Sequence, residues 1–395
     1  MKNIFLLFVL IPFFSISQSI YESDFDKFLN DYEQYFGYLK DRDINIKKIK
    51  AYYIEDVRAV STRNEFISLM ENVINEFYNG HISLNTSIST SNNIIPTGAD
   101  IYAVKKGEKY FISDLRKGFP AENSGLTKGM EIIKYNDQDI SEAIKTFLPK
   151  TLETYNELMY EYALNMLLAG QRNASKKITV LKEKTEIDYI IDYSNFKLYN
   201  TILESKQIDA KTGYIKINNS LGNSDLIPAF DKALDSLFNL ETIILDLTET
   251  PSGGNTMIGR AIMGRFISKE LPYQIHLFKE KPYNTVRKWV ELASPREKIY
   301  KGKLIVMVGH WTGSMGEGIA IGFDAMKRAD IVGTKMAGLI GAIHILNMPN
   351  TGIGYSIPAE KMYHVNGTPR EDFIPKFNTS NGGQTFEEAL KISKQ

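Results

Sequence analysis

The stretch 309–318, "GHWTGSMGEG", contains residue types that could perform nucleophilic catalysis. The apolar run "KLIVMV" precedes it and a segment with helical spacing follows it. The pattern predicts a strand, a sharp glycine turn and a helix. Several hydrolase folds expose a nucleophilic serine at such a turn. Ser314 is therefore a candidate nucleophile, although a serine at this position is also typical of a plain helix N-cap.

A second glycine-rich turn could stabilise the charge that such a nucleophile creates. The segment 244–256, "ILDLTETPSGGNT", is predicted to be a buried strand that ends in Pro-Ser-Gly-Gly. Consecutive glycines let the backbone approach a ligand closely. The N–H groups of Gly253 or Gly254, together with that of Met315 directly after the serine, could form an oxyanion hole. The alternative is a loop that only turns the chain.

The composition restricts the chemistry and the partners of this 395-residue chain. It contains no cysteine, which excludes thiol catalysis, disulfides and cysteine-ligated metals. Its five histidines include no i, i+4 pair, so we expect neither a metal nor a cofactor. Lys+Arg and Asp+Glu both number 47, a balance that argues against a nucleic-acid partner.

The N-terminus predicts export. One lysine is followed by an apolar run of about eleven residues, too short to span a bilayer but typical of a signal peptide. We expect residues 1–17 to be removed after Ser17, leaving a periplasmic or secreted protein without stable membrane insertion. An uncleaved membrane anchor is the alternative.

The remaining chain divides into three predicted regions. Residues 18–95 have helical periodicity. Residues 96–195 contain predicted strands and one helical stretch, and residues 196–395 alternate strands with helices, which indicates an α/β domain with a largely parallel sheet.

Two resemblances extend these patterns. The segment "KGFPAENSGLTKGMEIIKYNDQDI" resembles the centre of a PDZ domain, with Met130 in place of the usual Asp. This implies that residues 96–195 are a PDZ-like domain, with the helical stretch 150–170 as an insertion, and that they present a peptide by β-strand addition.

The combination of "LDL…GG", "GS..E" and "GT…G" resembles the serine peptidases of the tail-specific (C-terminal processing) and tricorn type. The resemblance covers nearly the whole mature chain. It implies a crotonase/ClpP-like α/β catalytic domain at 196–395, a PDZ-like domain and an N-terminal helical region.

The resemblance also suggests the general base. Tail-specific peptidases use a lysine about 25 residues after the serine, but Leu339 stands at that place and Lys335 lies four residues too early. Tricorn-type enzymes use a histidine just after an N-terminal helix, and His81 in "YNGHISL" matches it. Gly80 stands where tricorn has an orienting serine, so what holds the ring stays open. His310, close to Ser314, is an alternative base.

The tricorn-type branch also uses a late glutamate, for which Glu371 is the best match and Asp372 an alternative. Thr248 replaces the arginine that the family usually has near its oxyanion glycines, and one extra residue follows it. Which glycine donates its N–H therefore stays open.

The sequence thus predicts an exported serine endopeptidase that acts on peptides or unfolded proteins. Two alternatives are a catalytically inactive relative that binds peptides or hydrophobic ligands, and an esterase on the same fold.

Overall fold

The computed structural model describes residues 19–395. The expected signal peptide, residues 1–17, lies outside this range. Helices in the described chain are α1 (Ile20–Tyr35), α2 (Ile46–Ala59), α3 (Arg63–Asn75), α4 (Pro120–Asn123), α5 (Ile140–Ala143), α6 (Glu157–Ala169), α7 (Leu226–Ser236), α8 (Thr256–Met263), α9 (Met315–Ala325) and α10 (Gly382–Ser393).

Strands in the same range are β1 (Ile101–Lys106), β2 (Lys109–Leu115), β3 (Glu131–Tyr135), β4 (Gln138–Asp139), β5 (Lys176–Lys182), β6 (Thr185–Ile191), β7 (Leu203–Gln207), β8 (Thr212–Ile217), β9 (Thr242–Asp246), β10 (Leu271–Glu280), β11 (Thr285–Ala293), β12 (Lys303–Val308), β13 (Asp330–Gly333), β14 (Ala342–Asn347), β15 (Gly354–Tyr363) and β16 (Phe377–Asn378).

The first three helices pack onto the C-terminal half of the chain. Each begins at a side-chain N-cap, and Thr62 and Glu65 form a capping box at the start of α3. Their apolar faces share one core with β14 and β15, where Phe28 of α1 contacts the ring of Tyr355. The segment that follows α3, including His81, is therefore held against the C-terminal half.

The middle region is an antiparallel sheet with the strand order β1-β2-β3-β5-β6 and a short β4 paired to β3. Helix α6 lies where the sequence predicted a helical insertion. Its Leu164 and Leu168 are fully buried in the same core as the strands, so α6 is part of this unit and not an appendage.

The C-terminal region contains the predicted, largely parallel sheet. Its order is β16-β13-β12-β9-β8-β7, and all neighbours are parallel except β7 and β8. Helices α7, α8 and α9 cover one face, and α10 covers the other. Since parallel strands place their carboxyl ends at one edge, the loops after β9 and β12 meet there. A bridge between Thr250 and Thr312 joins them.

A second, antiparallel sheet with the order β11-β10-β15-β14 was not predicted from the sequence. It pairs β10 with β15, some 80 residues apart in the chain, and such non-local pairing leaves no local sequence signal. The loop between β13 and β14, residues 334–341, connects the two sheets and reaches the site described next.

Candidate active site

Ser314 lies in a strained turn between β12 and α9. Its φ of 50° and ψ of −108° lie outside the regions that side chains other than glycine usually adopt. Gly313 before it has no room for a side chain, because an added Cβ would lie 2.5 Å from the Pro251 carbonyl oxygen. The turn therefore forces Ser314, which is partly exposed, to the N-terminal end of α9.

Glu317 stabilises this turn through two hydrogen bonds. Its carboxylate accepts the Ser314 N–H at 2.7 Å and, through its other oxygen, the Gly338 N–H at 3.0 Å. It is completely buried, and burial raises its pKa to about 7 even though nearby Arg370 favours the charged form. Glu317 thus joins the serine turn to the 334–341 loop, a role that a lone glutamate in the first turn of a helix does not reveal.

Of the two glycines after β9, Gly253 lies beside Ser314, whereas an added Cβ on Gly254 would lie 2.0 Å from the Leu221 backbone. Gly253 has a φ of 62°, and an added Cβ would be 2.3 Å from the Ser314 Cβ. Its N–H donates to the Thr250 carbonyl at 3.0 Å, whereas the hydrogen bonds of residues 19–395 include no acceptor for the N–H of Gly254 or Met315. Within residues 19–395, the N–H groups of Gly254 and Met315 are therefore available to a ligand, and the N–H of Gly253 is not.

His81 is buried, and its ring orientation is fixed. Its Nδ1 lies 2.8 Å from the Ile340 carbonyl oxygen, which can only accept a hydrogen bond. Nδ1 therefore has the proton and Nε2 has the free lone pair. Burial, followed by the charge of Arg370, lowers the pKa of His81 to about 4, so the ring is neutral at pH 7.

Asn79 fixes the backbone around that histidine. Its side-chain oxygen accepts the His81 N–H at 2.9 Å, and its amide nitrogen donates to the Gly338 carbonyl at 3.1 Å. Arg370 clamps the same loop by donating to the carbonyls of Leu339 and Gly341 at 2.7 and 2.9 Å. Neither residue was identified from the sequence, because both act through the backbone of a distant loop.

The 334–341 loop contacts both the segment of His81 and the turn of Ser314. Its Ile340 carbonyl contacts His81. Its Gly338 N–H donates to Glu317, which also accepts the Ser314 N–H. Between these, the buried Leu339 side chain lies 3.1 Å from the position of an added Cβ on Gly313. Within the described residues no hydrogen bond links the Ser314 and His81 side chains.

The other candidates occupy distinct positions. Lys335 pairs with Glu161 of α6 at 3.4 Å. The ring of His310 stacks on Tyr102 with centroids 3.6 Å apart, and burial lowers its pKa to about 3. Both side chains therefore contact residues of the middle region.

Glu371 lines a cavity of about 110 Å³, together with Asn79, Gly80 and the 337–339 backbone. Its Oε2 is buried without a hydrogen-bond partner in the described chain, and burial raises its pKa. Asp372 lines the same cavity but is exposed. Of the two late acidic residues, Glu371 is the one with a buried carboxylate oxygen.

A family comparison identifies the C-terminal domain. Residues 211–375 match peptidase family S41. The chain contains an S41 peptidase domain. On this ground the protein is a serine-type peptidase, a hydrolase. The match spans Ser314, both loop glycines and Glu371, and it does not include His81.

Solved structures share the fold over nearly the whole chain. Mature CPAF aligns with a TM-score of 0.64 at 12% identity, covering 95% of this chain and 97% of that one. A putative peptidase from Parabacteroides merdae aligns with a TM-score of 0.56 at 12% identity, covering 95% and 98%. The photosystem II D1 C-terminal processing protease aligns with a TM-score of 0.54 at 12% identity, covering 90% and 92%. No curated protein matched the sequence.

Residues 19–395 contain no group of three or more His, Asp or Glu side chains placed to bind a metal ion. Nor does any helix in this range combine the length and apolarity needed to cross a bilayer.

Proposed function

We propose that this protein is an exported serine endopeptidase in which Ser314 is the nucleophile and His81 the general base. The observation that supports this best is the hydrogen bond from His81 Nδ1 to the Ile340 carbonyl. It leaves Nε2 as a proton acceptor. It also holds the ring in place, although Gly80 stands where tricorn has an orienting serine.

The reaction follows from these groups. Ser314 Oγ attacks the scissile carbonyl carbon while its proton passes to His81 Nε2, and the N–H groups of Gly254 and Met315 stabilise the resulting oxyanion. Collapse of this tetrahedral intermediate breaks the scissile C–N bond, and the leaving amine takes the proton from His81 Nε2. Water then attacks the acyl-enzyme ester with the same base and releases Ser314.

Glu371 is proposed to favour the protonated imidazole that forms during these steps. Its unpartnered oxygen lies in the cavity that Asn79 and Gly80, the residues preceding the base, also line. A buried carboxylate near the ring would stabilise a transient positive charge on it. Asp372 is less suited because water screens an exposed carboxylate.

Polypeptides are the proposed substrates, as the peptidase family implies. The test uses purified mature protein and an unfolded protein such as reduced, alkylated casein, with cleavage followed by gel and mass spectrometry. Wild type should produce new peptides, and Ser314→Ala and His81→Ala should not. Matched activity in wild type and His81→Ala would reassign the base, and His310→Ala would then be the next variant.

Export is the remaining part of the proposal, and it rests on the apolar N-terminal segment. Mass spectrometry of the protein recovered from its host should find an N-terminus at residue 18. A mature protein that retains residues 1–17 would contradict cleavage.

A further inference from the structure

Strand β1 is one of the two edge strands of the antiparallel sheet in the middle region. It pairs with β2 on one side only, and helix α6 runs along its other side. An edge strand normally offers its outward N–H and C=O groups to an extended polypeptide. The resemblance of this region to a PDZ domain implies that substrates bind in this way.

Asn165 of α6 occupies that edge. Its Oδ1 accepts the Ala103 N–H at 2.9 Å, and its Nδ2 donates to the Ala103 carbonyl at 3.0 Å. The side chain is 96% buried, as its exposed fraction is 4%. A carboxamide is chemically a peptide group, and this pair of hydrogen bonds is the pair that an opposed residue of an added antiparallel strand would form.

Helix α6 holds Asn165 firmly in place. The Asn165 Nδ2 also donates to the Glu161 carbonyl at 2.8 Å, and the Glu161 side chain accepts the Tyr102 hydroxyl at 3.0 Å. One turn of the helix nearer its start, the Tyr162 hydroxyl donates to Asn75 of α3 at 2.9 Å. Displacing Asn165 would therefore disturb contacts with both β1 and the N-terminal helices.

We propose that Asn165 determines substrate access by closing the outer edge of β1, so that polypeptides reach the catalytic domain without adding a strand to it. That the excluded ligand is a substrate rests on the proposed peptidase function. The closure itself rests on the hydrogen bonds of Ala103 alone.

The test measures binding in the full mature chain with Ser314→Ala, so that the probe is not cleaved. The probe is a fluorescein-labelled decapeptide of alternating Val and Thr with a free C-terminus, followed by fluorescence anisotropy. The Ser314→Ala protein should show no saturable binding. Adding Asn165→Ala, which removes both hydrogen bonds to Ala103, should produce saturable binding, with a Kd at least about tenfold below the highest protein concentration used. Glu157→Gln, an exposed change on the same helix, is the matched control.

Hydrogen exchange keeps the test decisive if Asn165→Ala destabilises the domain. Asn165→Leu retains most of the buried volume but cannot bond to Ala103, so exchange of the Ala103 amide should accelerate in this variant while β2 and β3 amides stay protected. Equal peptide binding with and without the Asn165 change would overturn the proposal. So would an absence of binding in both Asn165 variants despite fast Ala103 exchange, because another group would then close the edge.

The catalytic assignment is checked separately on chains that retain Ser314. Active-site labelling of the exposed control Glu157→Gln by a fluorophosphonate should match wild type. If no chain with an intact Ser314 is labelled, the proposed function fails, and the binding result on β1 still decides whether Asn165 closes the edge.

Discussion

Ser314, His81 and Glu317 are the single residues on which the proposed chemistry depends most. The serine adopts a φ of 50°, and the buried glutamate accepts its N–H. The histidine is neutral because burial lowers its pKa to about 4. A strained backbone and a buried ionisable group each lower the stability of the folded protein. Such unfavourable features are typical of sites where geometry serves a reaction.

The pKa of His81 predicts the acid limit of activity. A free imidazole titrates near ~6.5, whereas the pKa of the folded-state ring is about 4. The neutral form that accepts the serine proton therefore persists as pH falls through 6.5 and is lost only near 4. Glu317 would also titrate in wild type, because its pKa is about 7, so the profile of kcat/KM against pH is measured in the Glu317→Gln variant. The residual peptide hydrolysis of that variant should be retained at pH 5 (roughly one unit above the His81 pKa). An acid limb centred at 6.5 would show that the imidazole is not desolvated.

Glu317→Gln should impair catalysis more than folding. An amide has one acceptor oxygen where the carboxylate has two, so either the Ser314 or the Gly338 N–H loses its acceptor at a cost of about 1–3 kcal/mol. We expect kcat to fall roughly 10- to 100-fold while KM changes little. Steady-state kinetics beside the exposed control Glu297→Gln test this, and an unchanged kcat would refute the positioning role.

At the scale of elements, three loops build the site. The turns after β9 and β12 were predicted, because runs of apolar residues that end in glycines have a local signature. The 334–341 loop was identified only as lacking a catalytic lysine. Its role as the connection between His81 and Ser314 depends on backbone carbonyls, which any residue type can supply, so no sequence pattern could predict it.

Two loop glycines, Gly253 after β9 and Gly222 after β8, should differ in how well they tolerate a side chain. Gly253→Ala would place a Cβ 2.3 Å from the Ser314 Cβ at a φ of 62°, whereas a Cβ on Gly222 meets no atom within 4 Å. Gly253→Ala should therefore lower kcat by about 100-fold or more, and Gly222→Ala should leave kcat near that of wild type. Similar losses in both variants would mean that the loop tolerates no change for reasons unrelated to the oxyanion.

At the scale of the whole molecule, buried polar contacts join the middle region to the catalytic loops. Arg116, directly after β2, pairs with Glu249 of the oxyanion turn at 2.9 Å, and both side chains are buried. The indole N–H of Trp311 donates to the Ala99 carbonyl at 2.8 Å. The sequence predicts three regions in this order, but it contains no pattern that predicts these contacts between distant segments.

Breaking the buried ion pair should be costly. Arg116→Ala leaves the Glu249 carboxylate without its cation, so the free energy of unfolding should fall by about 3–5 kcal/mol. The double variant Arg116→Met/Glu249→Gln removes both charges and should recover a large part of that loss. Urea unfolding followed by circular dichroism measures both values. A single variant as stable as wild type would contradict the role assigned to the pair.

The central claim is that His81 activates Ser314. The most direct measurement is labelling of the purified mature protein with a fluorophosphonate, with the modified residue located by mass spectrometry. We predict an adduct on Ser314 in wild type and in His310→Ala, and none in Ser314→Ala or His81→Ala. An adduct on Ser314 that forms at the wild-type rate in His81→Ala would contradict the claim.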